Sequence, residues 1–222
     1  MEIDRWHAYA QEVVHSTTRK WVLASNRDKA PRILNAGSGG SDYGIALPMV
    51  HLDLVAARID GIPNAIVGDV DSIPTSGNMF DIILCVGSVL NYSNPIATIR
   101  EFYRVLKPGG TLILEYERSG SPDYWLQHGL SAPCVRTTTF YGKVSTQLWA
   151  YGDQFIDNLL NNNNFKRLNE LRFHGISSAA LAVTKSPRLS SYFTVADHYL
   201  ANLWPIRHLA SNRILAVEKL AH

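Results

Sequence analysis

The stretch that decides the fold is residues 32–41, Arg-Ile-Leu-Asn-Ala-Gly-Ser-Gly-Gly-Ser, where a short apolar strand meets a glycine-rich turn. Glycine adopts backbone angles that side chains forbid, so the N–H groups of such a turn can approach a ligand closely. Ligands of open α/β sheets bind at the carboxyl ends of parallel strands, which is where this turn would lie. A plain tight turn has the same composition, so the stretch needs support from the rest of the chain.

Two further short strands end in an aspartate. Residues 49–53 (MVHLD) end at Asp53, and residues 65–69 (AIVGD) end at Asp69. A carboxylate at the end of the second strand can accept hydrogen bonds from two vicinal hydroxyls, which suits a ribose. A carboxylate beside a backbone N–H, as in Asp69-Val70, can bind an adenine amino group and ring nitrogen. Each aspartate alone could be a loop residue or a helix cap, but three successive strand ends favour one shared site.

The segments that follow predict a parallel sheet. Residues 80–86 (FDIILCV) form a continuous apolar run, as expected for a strand that is buried on both faces. Residues 95–106 have helical periodicity, begin at a proline and end at Pro108-Gly109-Gly110, after which residues 111–116 predict a fifth strand. Strands without hairpin signals between them indicate crossover connections.

Both ends of the chain add elements around this centre. The apolar spacing predicts a helix over residues 4–26, and residues 137–141 and 144–149 predict an antiparallel hairpin around Gly142-Lys143. The remaining predictions are a helix at 153–160 ended by four asparagines, a strand at 165–173, helical pieces between 176 and 210 broken by Pro187 and Pro205, and a strand at 213–220.

The connections between the first strands are short. Only residues 40–52 separate Gly39 from Asp53, too few for a full crossover helix with its loops at a rise of about 1.5 Å per residue. Residues 54–64 are also few. We therefore expect a turn or a single helical turn in place of the first crossover helix.

The composition excludes several classes of function. The 222 residues are 46% hydrophobic and 18% charged, and the net charge is +2 without a run of Lys or Arg, which argues against nucleic-acid or membrane binding by bulk charge. Cys85 and Cys134 make no disulfide framework, and no His/Asp/Glu cluster has metal-ligand spacing. No signal-peptide pattern and no apolar stretch of roughly 20 residues is present, so we expect a soluble, cytoplasmic protein.

Five segments in chain order resemble the motifs of the class I S-adenosylmethionine-dependent methyltransferases, in particular the type-11-like branch that acts on small molecules. The similarity is closest at Arg104–Leu114, and the other segments are Ile33–Gly39, His51–Leu54, Gly68–Pro74, and Phe80–Leu84 with Val89–Tyr92. The resemblance implies an α/β fold: a Rossmann-like, doubly wound sheet of about seven strands, mostly parallel, with shortened first crossovers and an added hairpin and helical cap. It also implies one methyltransferase domain over residues 1–222, with an N-terminal helix (1–30), a cofactor-binding core (31–118) and acceptor-side cap segments (119–151 and 174–211).

The resemblance further implies S-adenosyl-L-methionine as the cofactor and S-adenosyl-L-homocysteine as its product. The implied cofactor-binding residues are Asn35, Ala36, Gly37, Ser38 and Gly39 around the methionine part, Asp53 at the ribose with Leu54 beside it, Asp69 and Val70 at the adenine, and Cys85 and Val86 beside the methionine and the sulfonium. Two positions depart from the family pattern, since Asn35 stands where an acidic residue is usual and Ser41 replaces the third glycine.

The implied reaction is methyl transfer to an oxygen or nitrogen of a small organic acceptor, by displacement in line with the departing sulfur. The cofactor carries its own activation, so the protein mainly positions the acceptor and excludes water. A base helps when the acceptor is a hydroxyl or an ammonium group, and the candidates are Tyr92 and His128, with Asn91, Glu115 and Tyr116 also near strand ends. Tyr92 could equally be an aromatic residue packed at a helix start.

Aromatic residues are dense in residues 117–151 and 174–211. They could form an apolar acceptor pocket with a lid, the core of a helical cap, or the face of a homodimer, and we expect core for most of them. Residues 86–89 lack the Asn/Asp-Pro-Pro-aromatic motif of base methylation, and no basic patch supports nucleic acid. A small organic acceptor remains, with no nucleic-acid or membrane partner.

Two other hypotheses come from different classes of function. A nicotinamide-dependent oxidoreductase would need glycine at position 42, where the chain has Asp42, and a Tyr-x-x-x-Lys pair that the chain lacks. A non-catalytic protein with the methyltransferase fold, acting as a binding partner or regulator, is compatible with Asn35, Ser41 and the shortened crossovers. Cofactor binding distinguishes this alternative from an autonomous enzyme.

Overall fold

The computed structural model describes residues 5–25, 31–122, 124, 132–141 and 144–221. The strands are β1 (Ile33–Ala36), β2 (Met49–Asp53), β3 (Ala65–Val67), β4 (Phe80–Cys85), β5 (Leu106–Glu117), β6 (Cys134–Tyr141), β7 (Val144–Tyr151), β8 (Phe165–Phe173) and β9 (Asn212–Lys219). The α-helices are α1 (Arg5–Ser25), α2 (Pro95–Val105), α3 (Asp153–Asn162), α4 (Ile176–Thr184), α5 (Pro187–Ser190) and α6 (Thr194–Leu200).

Seven of these strands form one sheet in the order β3-β2-β1-β4-β5-β9-β8. The pairs β3–β2, β2–β1, β1–β4 and β4–β5 are parallel, and Ile33 of β1 lies in register with Met49 on one side and Ile82 on the other. The strand order reverses between β1 and β4, which opens a crevice at the carboxyl ends of these strands. The predicted fold class is therefore confirmed, and β6 and β7 form the predicted antiparallel hairpin, extended to residues 134–151.

The first two connections contain little helix. Residues 37–48, between β1 and β2, form turns only, and residues 54–64 contain one short 3₁₀ turn, Ala56–Arg58. The side chains of Tyr43 and Ile45 are buried although they lie in the first of these loops. The loop thus covers the end of the sheet with single side chains where a crossover helix would otherwise pack, as the short spacing predicts.

The junction between α2 and β5 differs from the prediction. The helix ends at Val105 and the strand begins at Leu106, so Pro108-Gly109-Gly110 belong to the β5 segment and not to a turn that precedes it. Leu106 already pairs with Phe80, and the β4–β5 register then shifts before Ile82. Such an irregular stretch of the ladder tolerates a proline, which cannot donate a ladder hydrogen bond.

Residue contacts divide the chain into two compact units. Unit 1 comprises the described residues of 1–14, 116–157 and 171–214, which include the hairpin and α4 to α6. Unit 2 comprises the described residues of 15–115, 158–170 and 215–222, which include β1 to β4 and α2.

Unit 1 contains a buried ionic cluster around Asp153. Arg118 Nε lies 2.8 Å from Asp153 Oδ1, and a guanidinium nitrogen of Arg172 lies 2.8 Å from Asp153 Oδ2. Arg213, which is buried, lies 3.0 Å from Asp157 and donates to the Tyr116 hydroxyl at 3.0 Å. Burial alone would raise the pKa of Asp153, but the hydrogen bond from Arg118 and the arginine charges outweigh it and hold this pKa at about 2.

The Asp153→Asn variant tests whether this cluster stabilises the protein. Removing one partner of a largely buried pair leaves uncompensated arginines, so we expect the free energy of unfolding at pH 7 to fall by about 3 kcal/mol. Because the folded pKa of Asp153 lies below its ordinary value, this stability is present above pH 4 and is lost as the pH falls towards 2, by about 2 kcal/mol. Urea unfolding across this pH range measures both effects.

The control is Asp81→Asn, which removes one partner of a half-exposed pair with Lys107. This variant should lower the free energy of unfolding at pH 7 by less than about 1 kcal/mol. Equal losses for the two variants would contradict the account.

Gly37 in unit 2 occupies a position that is closed to any side chain. Its φ is +72°, and a Cβ placed there would lie 2.5 Å from a methyl carbon of Val89. At Gly39, where φ is +55°, a Cβ would meet nothing within 4 Å. A side chain at Gly39 would therefore add backbone strain alone, whereas a side chain at Gly37 would add both backbone strain and steric overlap.

Alanine substitution at these two glycines should have different effects. Gly39→Ala should cost about 1 kcal/mol, since only the left-handed backbone is penalised. Gly37→Ala should cost about 1–3 kcal/mol more because the methyl group overlaps Val89. The double variant Gly37→Ala/Val89→Ala should recover part of this difference in thermal unfolding. A double variant that is no more stable than expected from adding the two single losses would show that the overlap is not the cause.

Candidate functional site

The glycine-rich turn after β1 is hydrogen-bonded to the end of β2. Gly37 N and Ser38 N both donate to the carbonyl oxygen of Leu52, at 2.7 and 3.0 Å. Gly37, Gly39 and Gly40 all have positive φ, which glycine adopts without the penalty that side chains incur. The structure therefore gives the turn the conformation that the sequence predicts, at the crevice edge of the sheet.

Asp53 links the turns that follow β1 and β2. Its side chain is buried, Oδ2 accepts from Gly39 N at 2.8 Å, and Oδ1 accepts from Val55 N at 2.9 Å. A carboxylate has about four lone-pair sites, so both oxygens can still accept from a ligand. Asp53 thus stands at the predicted place and also has a structural role that the sequence did not indicate.

The positions predicted for adenine lie just beyond β3. The strand ends at Val67, Asp69 is exposed with Oδ1 accepting from Asp71 N at 2.9 Å, and Val70 is buried. Leu54, which follows Asp53, is exposed. The exposed carboxylate of Asp69 and the apolar side chain of Val70 beside it can offer one polar and one apolar contact to a flat ring.

Asn35 lies fully buried at the carboxyl end of β1. Its Nδ2 donates to the Ser41 carbonyl oxygen at 2.6 Å and lies 3.8 Å from the Met49 sulfur. Within the described part of the chain, its Oδ1 has no hydrogen-bond partner. A buried acceptor without a donor costs about 1–3 kcal/mol, so a ligand that donates at this point would be favoured.

Cys85 and Val86 form an apolar floor at the end of β4. Both side chains are buried, and burial raises the pKa of the Cys85 thiol far above its usual range. The thiol therefore stays protonated at neutral pH, and a protonated thiol is a poor nucleophile.

Glu115 holds the loop that follows β4. Its Oε2 accepts from Gly87 N at 3.0 Å and from Ser88 N at 2.6 Å, where both residues have positive φ. The sequence placed Glu115 among the possible bases, but these bonds give it a structural role in positioning the loop. The sequence feature that could have indicated this role is that Glu115 is the one carboxylate within the apolar strand segment at 111–116.

The other candidate bases have different surroundings. Burial raises the pKa of Tyr116, whose hydroxyl is bonded to Asp153 and Arg213, so this side chain belongs to the ionic cluster of unit 1. Asn91 is buried, whereas Tyr92 is exposed at the end of a 3₁₀ turn, so Tyr92 is not a core aromatic residue. His128 and Trp125, and the side chains of Phe140 and Tyr141, lie outside the described residues.

The expectation of a core role is wrong for several aromatic residues of unit 1. Tyr192, Phe193, Tyr199, Trp204 and Trp149 are exposed, Tyr199 by 75% and Trp204 by 79%. In the helical segments between residues 176 and 200, small polar side chains take buried positions in place of the aromatic residues; these are Ser177, Ser178, Ser190, Ser191 and Thr194.

His174 in unit 1 is part of a helix cap. Its ring stacks on Trp6 with centroids 3.8 Å apart, and its Nδ1 lies 2.9 Å from Ser177 Oγ. Ser177 donates its hydroxyl proton to Asp197, which also accepts from Ile176 N at 2.6 Å at the start of α4. Because the serine proton is bonded to a carboxylate and not to the imidazole, this is not an activated nucleophile.

Among the described residues, His, Cys, Asp and Glu side chains do not gather in groups of three or more that could bind a metal ion, and none of the helices has the length and apolar character of a membrane span.

Comparisons with known proteins agree with this geometry. A family model described as a methyltransferase domain matches residues 38–114. Over 127 residues the chain is 28% identical to protein YafE of Escherichia coli strain K12, a match that covers 53% of this chain and 60% of that protein. The chain therefore spans less than two thirds of the length of that curated relative.

Two solved structures share the fold across nearly the whole chain. An S-adenosylmethionine-dependent methyltransferase from Clostridium acetobutylicum superposes with a TM-score of 0.61 at 12% identity, covering 99% of this chain and 94% of that one. The 1,6-didemethyltoxoflavin-N1-methyltransferase of Burkholderia thailandensis, with bound 1,6-didemethyltoxoflavin and S-adenosylhomocysteine, superposes with a TM-score of 0.58 at 14% identity, covering 98% and 82%.

The segment matched by the family model contains residues 38–41 of the glycine turn, both strand-end aspartates and the loop after β4, which border the crevice. Residues 38–114 thus match the methyltransferase-domain family model, and the chain shares its fold with solved S-adenosylmethionine-dependent methyltransferases.

Proposed function

We propose that this protein transfers the methyl group of S-adenosyl-L-methionine to an oxygen or nitrogen of a small organic acceptor. The observation that carries the proposal is the joining of two strand-end turns by one buried carboxylate. Asp53 accepts from Gly39 N and Val55 N at 2.8 and 2.9 Å, so the turns after β1 and β2 form one border of the crevice.

The residues of this border fit the parts of the cofactor. Residues 35–39 would hold the methionine part, and the unpartnered Oδ1 of Asn35 is an acceptor suited to its ammonium group. Asp53 would accept from the ribose hydroxyls through its remaining lone pairs. Asp69 would bind the adenine amino group, while Val70 and the exposed Leu54 would contact the ring.

When bound, the cofactor supplies a methyl group that is already activated by a positively charged sulfur. Cys85 and Val86 would exclude water beside the sulfur, and the protonated Cys85 thiol would not compete with the acceptor as a nucleophile. Glu115 fixes the loop that leads to Tyr92. Positioning of this kind supplies much of the rate enhancement for a reaction between two bound groups.

Tyr92 is the described candidate for receiving a proton from the acceptor. It is exposed in the segment that Glu115 holds, so its hydroxyl can meet an acceptor that enters from solvent. His128, in the segment between β5 and β6, is the second candidate base. Both assignments apply to an acceptor that reacts through a hydroxyl or an ammonium group.

A small acceptor is supported by charge and by one structural neighbour. The net charge of +2 without a run of Lys or Arg argues against nucleic-acid binding by bulk charge. The Burkholderia thailandensis neighbour is named for 1,6-didemethyltoxoflavin as its acceptor. One methyltransferase domain over residues 1–222, a cytoplasmic location and a possible homodimer stay predictions.

Calorimetric titration with S-adenosylhomocysteine tests the cofactor site. We expect micromolar binding to the wild-type protein and a loss of about 100-fold or more in Asp53→Ala, because the variant loses both the ribose acceptor and the link between the turns. Asp53→Asn, which keeps one acceptor oxygen, should show a smaller loss. The exposed Asp60→Ala is the matched control and should bind like the wild type. Absence of heat and of a thermal shift with wild-type protein at millimolar ligand would contradict the proposal.

A further inference from the structure

The connection between β1 and β2 brings a tyrosine into the crevice. Tyr43 is only 7% exposed although it lies on a loop, and its φ of 54° is a left-handed conformation that is unfavourable for a bulky residue. Ser41 fixes this loop, because its carbonyl oxygen accepts from Asn35 Nδ2 at 2.6 Å and its Oγ accepts from Tyr43 N at 3.3 Å. The loop is thus folded over the end of β1, and the strained residue is held in place by polar contacts.

The Tyr43 hydroxyl faces residues from four neighbouring strands. Asn35 of β1, Asp53 of β2, Cys85 of β4 and Glu115 of β5 all lie close enough to this hydroxyl to influence its pKa. These strands are adjacent in the sheet order β2-β1-β4-β5, so the hydroxyl lies in the crevice where the order reverses. Burial, with a smaller contribution from the nearby acidic groups, raises the pKa of Tyr43, so the hydroxyl stays protonated.

Asn35 provides an independent sign of a ligand at the same point. Its side chain is fully buried, its Nδ2 is hydrogen-bonded, and its Oδ1 has no partner among the residues that the structure describes. Buried polar atoms without a partner are rare in native proteins, and a ligand that donates a hydrogen bond at this point would satisfy Asn35 Oδ1.

We propose that Tyr43 is a cofactor-binding residue. Its ring would line the methionine end of the crevice, and its hydroxyl would bind the amino-acid group of the cofactor together with Asn35 Oδ1. This inference rests on the proposed function. The amino-acid group carries an ammonium and a carboxylate; an amide oxygen accepts from the first, and a phenolic hydroxyl donates to the second. Two neutral side chains would thus take the place of an acidic residue at the end of β1.

The test compares two ligands that share the adenosine and the sulfur and differ in the substituent on the sulfur. S-adenosylhomocysteine carries it, and 5′-methylthioadenosine has the same nucleoside and sulfur without it. We expect Tyr43→Phe to weaken S-adenosylhomocysteine binding about tenfold in calorimetric titration and to leave 5′-methylthioadenosine binding within about twofold of wild type. Asn35→Ala also loses the hydrogen bond to Ser41 O, so it should weaken both ligands, but S-adenosylhomocysteine more than 5′-methylthioadenosine. Tyr103→Phe, a matched substitution in unit 2 near Phe165, should bind both ligands like the wild type.

The outcomes separate the inference from the proposed function. Wild-type protein that binds neither ligand would overturn the proposed function and the inference with it. Wild-type protein that binds both, with Tyr43→Phe indistinguishable from it, would overturn the inference alone. Equal losses of both ligands in Tyr43→Phe would also overturn it, because the hydroxyl would then act on the structure of the crevice and not on the amino-acid group.

Discussion

The shortness of the connection between β1 and β2 is the constraint on which the site depends. Residues 37–48 must leave the carboxyl end of β1 and reach the amino end of β2, which pairs with it in parallel. A helix advances only about 1.5 Å per residue, whereas an extended chain covers more than twice that distance. The chain therefore crosses in turns, and the buried side chains of Tyr43 and Ile45 cover the sheet end in place of a helix.

This constraint makes the parts of the site depend on one another. A turn without a helix has few internal hydrogen bonds, and its polar groups are satisfied by the strand ends instead. Leu52 O accepts from Gly37 N, the Asp53 carboxylate accepts from Gly39 N, and the Asn35 amide donates to Ser41 O. The residues that border the crevice are thus also the residues that hold the turn, so substitutions here affect structure and binding together.

Much of this arrangement could be predicted from the sequence, because it follows from local pattern. The apolar run ending in glycines, the aspartate after β2 and the short spacing between them predicted β1, β2, the crevice and the missing helix. The burial of Tyr43 and the loop contacts of Glu115 could not be predicted, since they depend on residues that are distant in sequence. The exposure of Tyr199 was missed because periodicity does not show which face of a short helix is covered, and Trp204 lies in a turn, where no periodicity applies.

Amide hydrogen exchange with and without S-adenosylhomocysteine tests most directly the claim that the crevice at the ends of β1, β2 and β4 binds the cofactor. The account predicts slower exchange on ligand addition at residues 37–40, 53–55, 69–70 and 86–88, with little change in α4 to α6. Unchanged exchange in these turns at saturating ligand, or slowing confined to residues 176–200, would contradict it.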